Sequence, residues 1–199
     1  LLPRGLYKLN ERIGRNDDSS RYGDLDITSR ITIQGEGIDF SVIDGVYEDR
    51  IFHILEGGIL TLHDLTLLNG KGDDPPFTEP ESTVDTVLDC VFSLFTDCDT
   101  NATIGLPNDF EHVIAVRGGG AIANSGFLVL NQVTIEYNIS LRGGGIANYG
   151  TVEITGGRIC NNQGRVGGAI YNEGNLEING TQICDNNRGE DPADWPPKY

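Results

Sequence analysis

Gly143-Gly-Gly-Ile-Ala-Asn-Tyr-Gly150, Thr151-Val-Glu-Ile-Thr155 and Arg158-Ile-Cys-Asn-Asn162 are pieces of one unit, and the same unit recurs at a spacing of 24 residues on either side. Asn124, Asn148 and Asn172 share one position of the unit, and Gly126, Gly150 and Gly174 share another. Apolar residues line up as Ile122/Ile146/Ile170, Leu128/Val152/Leu176, Leu130/Ile154/Ile178 and Ile135/Ile159/Ile183. Asn138, Asn162 and Asn186 close each copy. A repeat of this length marks an architecture built by stacking, and it takes precedence over local propensity.

Within a copy, Ile146-Ala-Asn148, Val152-Glu-Ile154 and Arg158-Ile-Cys160 alternate apolar and polar residues over a few positions, separated by Gly, Asn or Thr. Period-two alternation over such lengths predicts strands with one buried face. Three strands and three turns make one coil, so the fold class predicted is all-β, a right-handed parallel β-helix with 24-residue coils. Coils stacked at the ordinary strand spacing of roughly 4.8 Å place equivalent side chains above one another. The Ile and Leu columns then fill the interior, the Asn columns bond amide to amide along the axis, and the Gly column marks a bend with positive φ or a close backbone approach. The run from Leu130 to Asn138 also fits a leucine-rich repeat. That fold needs a convex-side segment where this chain has Gly143-Gly-Gly145 and Gly167-Gly168, and glycine runs oppose a helix.

The N-terminal half reads as a looser version. Leu60, Leu62, Leu65 and Leu67 reproduce the spacing of Leu128, Leu130, Val133 and Ile135, and Leu25, Ile27, Ile31 and Ile33 nearly do so with one extra residue. Val42 to Gly45 and Arg50 to Leu55 supply further strands. The register breaks after Gly70. The predicted organisation is one domain: N-terminal coils over 1–70, an insertion over 71–116, regular coils over 117–187 and a polar, Pro-rich tail over 188–199. In the insertion, Val84, Val87, Leu88, Val91 and Phe95 fall at helical spacing after the N-cap candidates Ser82 and Thr83, which predicts a short amphipathic helix. Apolar residues wrap most of the way round it, so Phe92, Leu94 and Phe95 are the expected contact residues for a partner chain.

Gly119-Gly-Ala-Ile122, Gly143-Gly-Gly-Ile146 and Gly167-Gly-Ala-Ile170 resemble the Gly-Gly-Ala-Ile motif of polymorphic outer membrane proteins. The partner motif of that family, Phe-x-x-Asn, is similar to Ile135-Glu-Tyr-Asn138, Ile159-Cys-Asn-Asn162 and Ile183-Cys-Asp-Asn186, with Ile in place of Phe throughout. The resemblance implies a β-helix with a secreted or cell-surface life, in a group that includes adhesins.

Composition agrees with many turns: the chain of 199 residues holds 27 Gly, 38 % hydrophobic residues and a formal net charge of −16. Such a charge repels nucleic-acid phosphates and anionic lipid, and no stretch reaches the roughly 20 apolar residues of a membrane span. The chain is expected to be a trimmed piece of a longer secreted precursor.

Candidate chemistry is sparse. Cys160 and Cys184 occupy equivalent positions in adjacent coils, with Cα atoms expected about 5 Å apart, and Cys90 and Cys98 lie together in the insertion; both pairs are expected to form disulfides, the first pointing outward. Glu153 and Glu177 are outward neighbours at roughly the separation of a retaining glycosidase pair. They are the catalytic candidates, set against the simpler reading of two solvated glutamates. His53, His63 and His112 show no metal spacing and read as ordinary strand or loop residues. Asp17, Asp18, Asp24 and Asp26 offer oxygen to a hard cation such as Ca²⁺ but form no complete Ca²⁺ loop, so no cofactor is expected. Asn101, Asn138 and Asn179 open glycosylation sequons, Asn101 being the best placed. The expected function is a non-catalytic extracellular or cell-surface interaction module, adhesin-like or an assembly subunit. Its partners are expected to be a protein, a glycan or a second copy, bound through the insertion or the coil ends. The alternative is a polysaccharide lyase or glycoside hydrolase of the β-helix class.

Overall fold

The computed structural model describes residues 1–9, 24–72 and 118–187. Among them the chain is all-β, with no helix. One unit comprises Leu1–Asp73 with Val116–Tyr199, and Asp74–Ala115 is a second. Several expectations fall outside the described residues: the short helix, Cys90 and Cys98, Phe92, Leu94 and Phe95, Asn101, His112, the pair Asp17 and Asp18, and the 188–199 tail.

Three sheets carry the fold, and the chain visits them in turn. The first sheet holds β1 (Gly5–Lys8), β4 (Ser41–Asp44), β7 (Thr66–Leu68), β10 (Thr134–Glu136), β14 (Arg158–Cys160) and β18 (Gln182–Cys184). The second holds β2 (Leu25–Ile27), β5 (Phe52–Ile54), β8 (Ile122–Asn124), β12 (Ile146–Asn148) and β16 (Ile170–Asn172). The third holds β3 (Arg30–Gln34), β6 (Ile59–His63), β9 (Phe127–Asn131), β13 (Thr151–Thr155) and β17 (Asn175–Asn179). The strand pairs are parallel in all three sheets. Parallel strands in stacked sheets are consistent with a parallel β-helix.

The apolar columns stand in register. Ile122 pairs with Ile146 and Ile146 with Ile170. Leu128, Val152 and Leu176 align, as do Ile135, Ile159 and Ile183. Ile122, Ile146, Leu128, Val152, Ile135 and Ile159 meet in one core with the fully buried Ile54, Leu60, Leu62, Leu65 and Leu67, Ile170 and Leu176 pack against it half-buried, and Ile183 is exposed. Burying an Ile or Leu is worth roughly 1.5–3 kcal/mol. Parallel pairing needs long connections between its partners, so the periodic burial holds the register.

Two expectations require correction. Leu25 and Ile27 do not share columns with Leu60 and Leu62: they pair with Phe52 and Ile54, while Ile31 and Ile33 pair with Leu60 and Leu62. Thr28 and Ser29 turn the chain from one sheet into the next between them. The three-strand coil is also incomplete. β11 (Ile139–Arg142) pairs with β15 (Gln163–Val166) in a further two-stranded sheet. Gly164 stands in that strand because the backbones close on each other there: a Cβ would lie 2.8 Å from the amide nitrogen of Gly144.

Turns repeat as faithfully as strands. Asn69, Tyr137, Asn161 and Asp185 take φ of 54°, 57°, 57° and 50° at equivalent positions. Gln132, Gly156 and Gly180 form a second left-handed column, with φ of 52°, 63° and 64°. The Gly126/Gly150/Gly174 column answers to close approach instead, since a Cβ on Gly150 would run into the carbonyl oxygen of Gly126.

Candidate functional site

Three features place chemistry on this scaffold: the stacked amides with the cystine beside them, the outward glutamates, and a buried polar cluster in the first coils.

Asn124 donates through Nδ2 to Asn148 Oδ1 at 2.8 Å, and Asn148 to Asn172 Oδ1 at 2.7 Å. A second ladder runs from Asn138 to Asn162 Oδ1 at 2.9 Å and from Asn162 to Asn186 Oδ1 at 3.0 Å. Each interior amide also serves the local turn: Asn148 Oδ1 accepts from Gly150 N at 3.1 Å while its Nδ2 reaches Asn175 O at 2.9 Å. Asn138 is 1 % exposed and committed to its ladder, so its sequon has no room for a glycan. Asn179 is exposed, with Nδ2 donating to Glu177 Oε1 at 2.8 Å.

Cys160 and Cys184 form a disulfide across Cα atoms 4.7 Å apart. Cys160 is 2 % exposed and Cys184 half-buried, so the bridge is largely covered. Beside it, Glu136 forms an ion pair with Arg158.

Glu153 and Glu177 pair directly across β13 and β17, and both are exposed. Val129 and Thr61 continue the same column. Side chains at one position of adjacent parallel strands project in the same direction.

The buried polar cluster was not foreseen as a group. Asp26 in β2 pairs with His53 in β5, and their column continues as Ala123 and Ala147. By alternation with the core residues Phe52, Ile54 and Ile122, this column faces out of the core. Yet His53, Ala123 and Ala147 are 2 %, 2 % and 0 % exposed, so this outer face is covered. Asp26 Oδ1 lies 3.2 Å from His53 Nδ1, with both side chains buried. Asp24, at the start of β2, forms an ion pair through Oδ2 with Nε of Arg50, and both are buried. Arg50 also points Nη1 at Gly118 O, 3.5 Å away. The other oxygen of Asp24, Oδ1, is buried without a hydrogen-bond partner. Burial raises the Asp24 carboxyl from 3.8 to about 7, against the downward pull of Arg50 and with an added push from Asp49 and Asp26. One ligand atom each from Asp24, Asp26 and His53 falls within 4.8 Å of the others.

Reading the sequence placed Asp24 and Asp26 in a loose acidic set and His53 among ordinary residues. The missed signal is the column itself: Ala123 and Ala147 are small apolar residues at positions that ought to face water. His63, on β6, is half-buried and stands apart from the cluster. Among the described residues no helix is long and apolar enough to cross a membrane. Compared with protein-family models, with curated proteins and with solved structures, the chain matches none of them.

Proposed function

We propose that this chain is a non-catalytic structural or interaction module of an extracellular or cell-surface protein. Its fold would be a right-handed parallel β-helix of 24-residue coils, similar to the repeats of polymorphic outer membrane proteins. The observation that carries the reading is where the polar chemistry is spent. Two asparagine ladders and a cystine tie the C-terminal coils, from Asn124 to Asn186, to one another. The right hand follows the strong preference of crossover connections between parallel strands. A disulfide persists in oxidising surroundings, in keeping with life outside the cell.

The contact surface is placed in the insertion, at Phe92, Leu94 and Phe95, with the coil ends as the second candidate. The scaffold suits this. Lys71 bridges to Ile139, and Gly72 N donates to Ile139 O at 2.8 Å. Gly119 N donates to Arg142 O at 2.7 Å and Gly120 N to Gly143 O at 3.1 Å. Residues 73–117 therefore leave and rejoin the coil where the next coil has only Leu141. Long excursions from a rigid scaffold are where binding surfaces usually sit.

Incubation of the full chain with polygalacturonate and with alginate tests the reading against its enzymatic alternative. No cleavage product is expected. Turnover that disappears in the Glu153→Gln/Glu177→Gln double variant would replace the module by a polysaccharide-cleaving enzyme.

A further inference from the structure

We propose that Asp24, Asp26 and His53 form a binding site for one divalent transition-metal ion, with Zn²⁺ the best match, clipping β2 to β5. The geometry comes first. The two carboxylates and the imidazole offer ligand atoms within 4.8 Å of one another, and the His53 Nδ1 to Asp26 Oδ1 distance is 3.2 Å. A metal with bonds of about 2.0–2.2 Å sets its ligands roughly 3–4 Å apart, so a small side-chain adjustment closes the group on an ion.

The unpartnered oxygen is the second, independent observation. Asp24 is 1 % exposed, and Oδ1 has no hydrogen-bond partner. A carboxylate oxygen buried in this way costs several kcal/mol unless something positive meets it. Arg50 already holds Oδ2. A ligating carboxylate is commonly held this way, with one oxygen fixed by an outer hydrogen-bond donor and the other left for the ion.

Charge and ligand type then choose the ion. Asp49 and Asp26 stand close enough to Asp24 to act on it electrostatically, as does Arg50. Ca²⁺ takes six to eight oxygens and Mg²⁺ keeps most of its water, whereas an imidazole beside carboxylates suits Zn²⁺ or Mn²⁺. Asp26 and His53 stand on paired strands with Asp24 just before the first, and all three side chains are buried, which favours a structural ion over a catalytic one.

Equilibrium dialysis of the full chain, stripped with a chelator and titrated with Zn²⁺ and separately with Ca²⁺, tests the site. One Zn²⁺ per chain is expected, with Ca²⁺ at least ~100-fold weaker. The His53→Gln variant should lose at least ~100-fold in Zn²⁺ affinity, while His63→Gln and His112→Gln leave it unchanged. Should His53→Gln fail to fold, histidine-ring ¹⁵N spectra of the unaltered chain give the same reading: one ring resonance moves with Zn²⁺, and it persists in the His63→Gln and His112→Gln variants. Absence of stoichiometric Zn²⁺, binding that survives His53→Gln, or a moving resonance that belongs to His63 or His112 overturns the proposal.

Discussion

Asn148 shows what one residue does in a stacked fold. Its amide accepts from Asn124 and Gly150 and donates to Asn172 and Asn175, so four groups depend on one side chain. Removing it strands buried donors and acceptors whose desolvation is then uncompensated. We predict that Asn148→Ala lowers stability by about 2–4 kcal/mol in denaturant titration. Asn172→Ala should lower it by less than half as much, since Asn172 is exposed at the end of its ladder. Equal losses would mean that the ladder does not share its load with burial. The left-handed turn residues allow the opposite experiment. Tyr137 holds φ of 57° with a side chain 44 % exposed, a conformation that strains an L-residue by roughly 1–2 kcal/mol. Tyr137→Gly relieves that strain at the cost of a more flexible unfolded chain. We predict a gain of up to about 1 kcal/mol; a loss would show that the tyrosine ring contributes more than the strain costs. Asparagine at the equivalent Asn69 and Asn161 hinted at such turns, whereas tyrosine and glutamine at Tyr137 and Gln132 concealed them.

Strands in this molecule are short, and their stability comes from the columns they join. Ile135, Ile159 and Ile183 are chemically identical neighbours, exposed by 0 %, 1 % and 49 %. Cavity cost follows burial, so we predict that Ile135→Ala and Ile159→Ala each cost about 3–4 kcal/mol and Ile183→Ala about 1 kcal/mol or less. Thermal unfolding of the three variants checks the order, and a flat series would contradict the column assignment. The same columns explain which elements could be read from the sequence. Where the spacing is constant, from Ile122 to Ile183, alternation and repeat pointed to the same strands. β11 and β15 were hidden because Gly164 and Arg165 interrupt any apolar alternation; they form through backbone fit to the neighbouring coil. In the N-terminal coils the connections vary in length, so pattern matching set Leu25 and Ile27 in the wrong column. Only pairing with Phe52 and Ile54 fixes them. The buried cluster was less legible still. Asp26 between Leu25 and Ile27, and His53 between Phe52 and Ile54, look like ordinary outward residues, and it takes the covering of that face to make them a site.

At the scale of the whole molecule, the cystine is a tie between neighbouring coils. Cys160 and Cys184 close a loop with a sequence separation of 24. A loop of that size restricts the unfolded chain by about 3 kcal/mol in the chain-entropy account. We predict that the Cys160→Ser/Cys184→Ser double variant loses about that much in denaturant titration under oxidising conditions, and that the two proteins converge when both are reduced. A difference that persists after reduction would assign the effect to packing instead.

The meeting of Gly72 and Gly118 across the place of Leu141 has a consequence for chain topology. A segment whose two ends are fixed side by side closes a ring, and the entropy lost in closing a flexible ring grows only with the logarithm of its length. Each doubling adds about 0.6 kcal/mol. The junction is therefore nearly indifferent to how much sequence passes through it. Replacing residues 76–113 by a short Gly-Ser link should leave the β-sheet circular dichroism and the unfolding midpoint close to those of the parent while abolishing partner capture. By the same reasoning an unrelated domain with adjacent termini could be grafted there. For the coils below and above, this one position separates the sequence that must remain fixed from the sequence that is free to diverge.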